Sequence, residues 1–192
     1  MGYRLLSVNL STATPLLATG PTVMSAIAKN AVTGQVKVNQ LGLEGDERAD
    51  ADVHGGVSKA IYAYPREHYP HWQTMRAQAQ ASSWNEALPN GFMGENLTLE
   101  GLLENQVWIG DVIQFPNCQL AVSEPRTPCA GFNEAMGFPQ ASKMMLQSGW
   151  CGYYLAVRVP GSIAAGDEFE LIPGPRHIGI PERFRSLTGH KR

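Results

Sequence analysis

Hydrophobic and polar positions along the chain alternate with the period of strands far more often than they recur with the period of helices. Over residues 153–159, Leu155, Val157 and Val159 are separated by Ala156 and Arg158, the pattern of a strand with one buried face. Short apolar runs at 107–109, 112–115, 119–123 and 168–172 read the same way. Gly110-Asp111 and Gly166-Asp167 stand directly before two of these runs as turn dipeptides, and Gly45-Asp46 supplies a third such pair. A further strand is expected from Leu97, after a turn at Gly94-Glu95-Asn96.

Helical windows are few. Pro65 suits a first helical turn leading into Glu67, His68 and Tyr69, and Pro70 then restarts or kinks a segment running through Trp72, Met75 and Arg76. A second window runs from Pro139 through Met144, Met145 and Leu146 and stops at Gly149, a natural helix C-terminal residue. Residues 77–90 are polar and weakly patterned, partly helix or loop. Twenty glycines and 13 prolines end the runs at short intervals. The expected fold is therefore mainly β, a sandwich or a closed β-barrel with a few peripheral helices, rather than a βαβ array.

Composition adds boundaries to this picture. A chain of 192 residues, 43% hydrophobic and 17% charged, is expected to form one domain over 1–192 with a real core. Its net charge of −2 gives no global field toward DNA, RNA or an anionic membrane. The charge is uneven: Arg176, Arg183, Arg185, Lys191 and Arg192 face only Glu182, so residues 176–192 carry +4 on a body of −6. This basic C-terminal tail, 173–192, reads as a solvated terminus, with folding back on the domain or capture of an anion as the alternatives. No apolar run approaches the roughly 20 residues of a membrane span. The first 20 residues make a poor signal peptide, so a cytoplasmic location is expected. Cys118, Cys129 and Cys151 form an odd set without CxxC spacing, which suits free thiols better than a disulfide framework or a zinc ribbon.

Chemistry is narrowed first by what is missing: a phosphate loop, a GxGxxG fingerprint, a GxSxG elbow and an HExxH helix are all absent. Glu67-His68-Tyr69-Pro70-His71 has the wrong order for a zincin, and Pro70 spoils a shared helical face. Three polar segments remain. Residues 42–59, GLEGDERADADVHGGVSK, place His54-Gly55-Gly56 and Lys59 after six charged residues. Paired glycines let main-chain N–H groups converge on an anion and Lys59 adds a point charge, although the segment alone reads more readily as a loop that needs glycines for tight turns. Gly94-Glu95-Asn96 is the second segment. The third is SEPRTPC, 123–129, where two prolines stiffen the loop carrying Arg126 and Cys129. A guanidinium nearby lowers a thiol pKa and favours the thiolate, which attacks electrophiles or binds soft metals. Alone, a cysteine is more often a small buried hydrophobe. Cys118 and Cys151 lack such a setting, and Cys151 between Trp150 and Gly152 reads as core.

Taken in order, GLEGDERADADVHGG (42–56), AYPREHYPHW (63–72), GENLTLEGLLENQVWIGDVIQF (94–115), SEPRTPC (123–129) and GWCGYYLAVRVPGSIAAGD (149–167) resemble the MOSC domain, named for the C-terminal domain of molybdenum cofactor sulfurases, and within it the bacterial YiiM-like subgroup. The resemblance covers most of 42–172. It implies a closed β-barrel and a molybdenum cofactor, a molybdopterin, with Cys129 as the metal ligand in reductases or the sulfur acceptor in sulfurases. Lys59, Arg126 and His54-Gly55-Gly56 are then the candidates for the cofactor's phosphate. Glu95, Asn96 and Asp111 complete the candidate binding set. The implied activity is reduction of N-hydroxylated substrates, such as hydroxylaminopurine-like bases or hydroxylamines, to amines. No side chain readily cycles through two electrons, so the metal centre would do so. His54, Asp111 and Glu95 are candidate proton donors, His54 first because its ordinary pKa of about 6.5 lies nearest neutrality. Electrons would come from a separate flavoprotein or ferredoxin, and a homodimer is left open. Longer members carry a C-terminal helical extension, whereas about twenty residues follow Ile172 here. The alternative activities are a sulfur-carrier or cofactor-binding module using a Cys129 persulfide, and a noncatalytic anion-binding protein.

Overall fold

A computed structural model describes residues 2–11, 14–16, 23–25, 27–47, 56–128 and 130–189. Its strands are β1 (Tyr3–Leu10), β2 (Thr14–Leu16), β3 (Val23–Ser25), β4 (Asn30–Val32), β5 (Val36–Asn39), β6 (Gly42–Leu43), β7 (Ile61–Pro65), β8 (Leu97–Glu100), β9 (Val112–Gln114), β10 (Gln119–Pro125), β11 (Tyr153–Val159), β12 (Gly161–Ile163) and β13 (Glu168–Ile172). Helices are α1 (Tyr69–Gln78), α2 (Ala130–Met136), α3 (Ala141–Ser148) and α4 (Ile180–Thr188).

Seven strands close a barrel in the order β13-β9-β10-β11-β7-β8-β1, with β1 returning to β13. Closure rests on Tyr3 opposite Phe169 and Arg4 opposite Glu168, where the two rings stack at 5.5 Å. The far end of β1 runs past the barrel and pairs with β4 through Val8, Asn9 and Leu10. All barrel pairings are antiparallel except β7 with β8, which are parallel and therefore need the long crossover that carries α1. The interior is continuous, with Leu5, Leu97, Leu99, Ile113, Leu120 and Leu155 all fully buried.

Local sequence explains the main elements. The alternation over 153–159 corresponds to β11, whose burial alternates as the pattern requires. β7 instead is buried at every position, where its Tyr64 packs against Tyr69 and accepts from the α1 layer: Trp72 Nε1 donates to Tyr64 Oη at 2.6 Å. Trp72 also meets Phe132 of α2 edge-on at 5.5 Å, so this aromatic layer fastens two helices to the barrel. Truncating so completely buried a tryptophan typically costs about 3–5 kcal/mol. Pro70 restarts the helix, standing in the first turn of α1 after a 3-10 turn at Arg66–His68. Gly149 ends α3 at φ 71, its N–H donating to the Met145 carbonyl.

Two expectations are corrected. Residues 107–109 do not form a strand, but a single bridge between Trp108 and Gly179 flanked by Ile109 N to Ile178 O and Ile180 N to Val107 O. The pairing goes no further because the chain turns at Gly110, and the Trp108 N–H, which faces away from Gly179, goes to the Asp111 carboxylate. The tail, read as a solvated terminus, instead folds back as α4, burying Ile180 and Phe184 one helical turn apart. Among the described residues no helix is long and apolar enough to cross a membrane.

Candidate functional site

β10 delivers the SEPRTPC segment to the rim of the barrel. Pro125 still pairs with Tyr153 of β11, and Arg126, Thr127 and Pro128 lead out toward α2. Arg126 is buried, with its guanidinium 4.9 Å from the centre of the Tyr62 ring and 5.2 Å from that of Phe132. Its Nη1 donates to the Met93 carbonyl at 3.1 Å. A planar cation set between two ring faces is favourable electrostatically and keeps the group in one orientation.

Lys59 approaches the same aromatic wall from the next loop. It ends a 3-10 turn, Val57–Lys59, entered through Gly56 at φ 91, a backbone that glycine adopts without strain. Ser123 Oγ donates to the Ser58 carbonyl, fastening this turn to β10. The Lys59 ammonium lies 5.9 Å from the Tyr154 ring centre, and Tyr154 and Tyr62 stand 5.4 Å apart. Glu124 is 4.0 Å from Lys59, a long and half-exposed pair worth little by itself. Lys59 and Arg126 are thus gathered around Tyr62 and Tyr154, with Gly56 at the head of the Lys59 turn. Cys129, His54 and Gly55 lie outside the described residues.

Glu95 and Asn96 support this cluster from below. The Glu95 carboxylate is fully buried and accepts from the N–H groups of Gly91 (2.9 Å) and Met93 (3.1 Å), from Thr98 Oγ1 (2.6 Å) and from the Tyr69 hydroxyl. Burial pushes its pKa upward while these donors oppose that rise. Asn96 accepts the Tyr62 N–H at 3.1 Å and donates to Asp46 at 2.7 Å. Asp46 in turn meets Lys29 at 2.5 Å, both side chains being almost wholly buried. The sequence marks Asp46 as turn punctuation and as one of the six charged residues of 42–59, and marks Lys29 not at all.

Asp111 is engaged elsewhere. Fully buried, it accepts from Trp108 N at 3.1 Å and Gly174 N at 2.7 Å, with Arg176 Nε at 3.4 Å, so it ties the 108–111 turn to the segment before α4. Arg176 also stacks on Trp108 at 4.4 Å.

The sequence profile of the MOSC domain matches residues 50–170. The chain belongs to the MOSC domain family. It is 36% identical to Protein YiiM of Escherichia coli over 158 residues, covering 82% of this chain and 68% of that one. It is 34% identical to the uncharacterized protein YflK of Bacillus subtilis, covering 93% and 77%. A protein of Gibberella moniliformis named "Reductase" is 33% identical over 82% of this chain, which spans only 27% of that longer protein. Among solved structures, YiiM of Geobacillus stearothermophilus superposes with a TM-score of 0.74 at 27% identity, covering 96% of this chain and 83% of the other. YiiM of E. coli gives 0.75 at 26%, covering 100% and 80%. These likenesses agree with the observed barrel.

In this MOSC protein the other two cysteines are core residues. Cys118 is buried and its thiol is pushed up to about 12, chiefly by desolvation; Cys151 is buried and shifted in the same direction for the same reason. Neither is poised as a nucleophile or a thiolate ligand. His68 is likewise structural in setting: Nε2 lies 2.8 Å from Glu104 Oε2, the ring stacks on Trp150 at 4.7 Å, and Glu104 Oε1 accepts the Gly152 N–H at 2.7 Å.

Proposed function

We propose that this MOSC protein is a molybdenum-cofactor-binding oxidoreductase that reduces N-hydroxylated bases or hydroxylamines to amines, with Cys129 as the metal ligand. The observation that carries the reading is Arg126, fixed between Tyr62 and Phe132 three residues before that cysteine. The described residues fit an anionic cofactor in charge: the two cations Arg126 and Lys59 flank one aromatic wall made by Tyr62 and Tyr154. Lys59 and Arg126 would hold the phosphate, with the main chain at Gly56 and its neighbours as N–H donors.

The bound cofactor would supply the two-electron chemistry that no side chain offers. The overall change is R–NHOH plus two electrons and two protons giving R–NH2 and water, the electrons arriving from a separate flavoprotein or ferredoxin. The chain's own part is to present an ionised thiolate, to orient the substrate beside Tyr62 and Tyr154, and to supply a proton, for which His54 is the first candidate by its ordinary pKa of about 6.5. Glu95 serves by holding the Met93 carbonyl where Arg126 needs it.

The test is metal analysis of protein purified from cells competent in molybdenum-cofactor synthesis. Near-stoichiometric molybdenum is expected, and Cys129→Ser is expected to lose both the metal and the reduction of a hydroxylamine driven by an artificial donor. A variant that keeps molybdenum but loses transferable sulfur would shift the assignment to a sulfur carrier. Protein that never acquires either metal or sulfur would overturn the proposal.

A further inference from the structure

A concavity lies away from the Lys59 and Arg126 cluster. It encloses about 490 Å³ between the 3-10 turn Glu104–Gln106, the end of α3 and the first turns of α4. That volume falls in the roughly 300–1,000 Å³ range of small-molecule sites. Its lining includes Trp150, Arg185, Asn105, Gln147, Leu146 and Phe184, and none of the residues gathered around Tyr62 and Tyr154.

The electrostatics of the cleft are one-sided. Among the described residues that line it Glu104 is the single carboxylate, and both its oxygens are occupied, by His68 and by the Gly152 N–H. Arg185 is exposed and takes part in none of the ion pairs found among the described residues. A guanidinium at a cleft without an available carboxylate selects an anion, preferably one with two or more acceptor oxygens.

The indole is fixed in advance. Trp150 stacks parallel on His68, 8° between planes, and meets His71 edge-on at 4.8 Å. The Trp150 main-chain N–H donates to Ser148 Oγ at 3.2 Å and its carbonyl accepts from the Tyr64 hydroxyl at 3.1 Å. It remains 36% exposed on the cleft wall, so a rigid aromatic surface is offered without the entropy of ordering it on binding. Asn105 and Gln147 add amide groups, each able to donate and accept, suited to the edge of a ring bearing heteroatoms.

We infer that this cleft is a second ligand site, for a planar heteroaromatic ring carrying an anionic group, of which a purine mononucleotide is the representative. Trp150 stacks the ring, the amides meet its edge and Arg185 holds the anion. The inference stands independently of cofactor binding at Cys129.

Calorimetric titration of the full chain with AMP tests it, with adenosine, inorganic phosphate and an indole carboxylate as comparison ligands. AMP is expected to bind saturably with a Kd below about 1 mM, and adenosine and phosphate each to bind about tenfold or more weakly. Arg185→Gln, on an exposed helix surface, is expected to weaken AMP by about tenfold while leaving adenosine unchanged, as loss of a charge-assisted contact requires. Trp150→Leu should weaken both, and Cys129→Ser neither. Should Trp150→Leu fail to fold, Arg185→Gln alone decides the matter. Binding of the carboxylate at the strength of AMP supports the same ring-plus-anion chemistry with a carboxylate as its source. Absence of saturable binding by AMP and carboxylate up to about 10 mM overturns the inference. So does AMP affinity indifferent to Arg185→Gln, or abolished by Cys129→Ser, which would put the nucleotide at the cofactor site.

Discussion

Arg126 and Met93 are joined by a 3.1 Å hydrogen bond from guanidinium to main-chain carbonyl, while the Met93 N–H is held by the Glu95 carboxylate. The loop leading to Cys129 is therefore positioned from beneath by an acid that never reaches the barrel rim. A buried carboxylate accepting from four donors organises the turn 91–95, and that turn organises the arginine.

Replacing Glu95 with alanine would leave two main-chain N–H groups and two hydroxyls without their acceptor in a water-free setting. A loss of about 3 kcal/mol is expected, which for a domain of this size lowers Tm by about 6–12 °C. Differential scanning calorimetry reads this directly. An unchanged Tm would mean that the turn is held by other means.

Arg126→Lys preserves the charge but not the flat guanidinium that spans two rings and a carbonyl. The fold is expected to persist with a loss of about 1–2 kcal/mol, while retention of any anionic cofactor falls steeply. Chemical denaturation and metal content after gel filtration give the two readouts. Full retention by the lysine variant would show that charge alone suffices.

Thiol reactivity separates the three cysteines. Cys118 and Cys151 are buried with upward-shifted thiols, so a disulfide reagent at pH 8 is expected to label one fast equivalent in the native protein and three after unfolding. Cys129→Ser should remove the fast equivalent. A native protein with no fast thiol would count against Cys129 as a presented ligand.

Much of this architecture was readable in advance, and the failures have physical causes. β10, β11 and β13 follow their alternation because each shows one face to solvent or a partly covered layer. The residues 107–109 have equally good strand composition, yet the turn at Gly110 ends the run after a single bridge. α4 was obscured by its arginines: only Ile180 and Phe184 report its buried face, too few for a periodic signal within a Pro- and Gly-rich stretch. α2 was missed outright, as Ala130–Met136 contains a glycine and is too short to establish a period. At the site, Arg126 and Lys59 were identifiable from type and loop setting. Their connection through Tyr62 and Tyr154 was not, because it depends on β7 lying beside β11.

Acid sensitivity should trace partly to His71. Burial, and secondarily the nearby His68, lower its pKa below the usual 6.5. The unfolded chain then takes up a proton at a pH where the folded chain does not, so stability is lost as pH falls from about 6.5 toward the lowered value. Melting curves between pH 7.5 and 5 should show this loss, and His71→Gln should reduce it. An identical pH profile in the variant would assign the effect to other groups.

Gly152 has φ 65 and lies so close to β7 that a Cβ there would meet the Ala63 carbonyl at 2.4 Å and the Tyr62 ring at 2.8 Å. Gly152→Ala is expected to cost about 3 kcal/mol or more, combining left-handed strain with a backbone clash. Soluble yield and Tm measure it, and a variant as stable as the parent would mean that β7 and β11 can separate there at little cost.

The joining of Tyr3 to Phe169 has a consequence for biosynthesis. A nascent chain holds β1 while every other barrel strand is made, before β13 arrives to meet it. Until then β1 and β9 both present unpaired peptide groups along a hydrophobic margin, the kind of surface that seeds intermolecular association. Ribosome-bound intermediates of this protein should therefore depend on holdase chaperones, and completion of the barrel should be the late, slow event of its maturation.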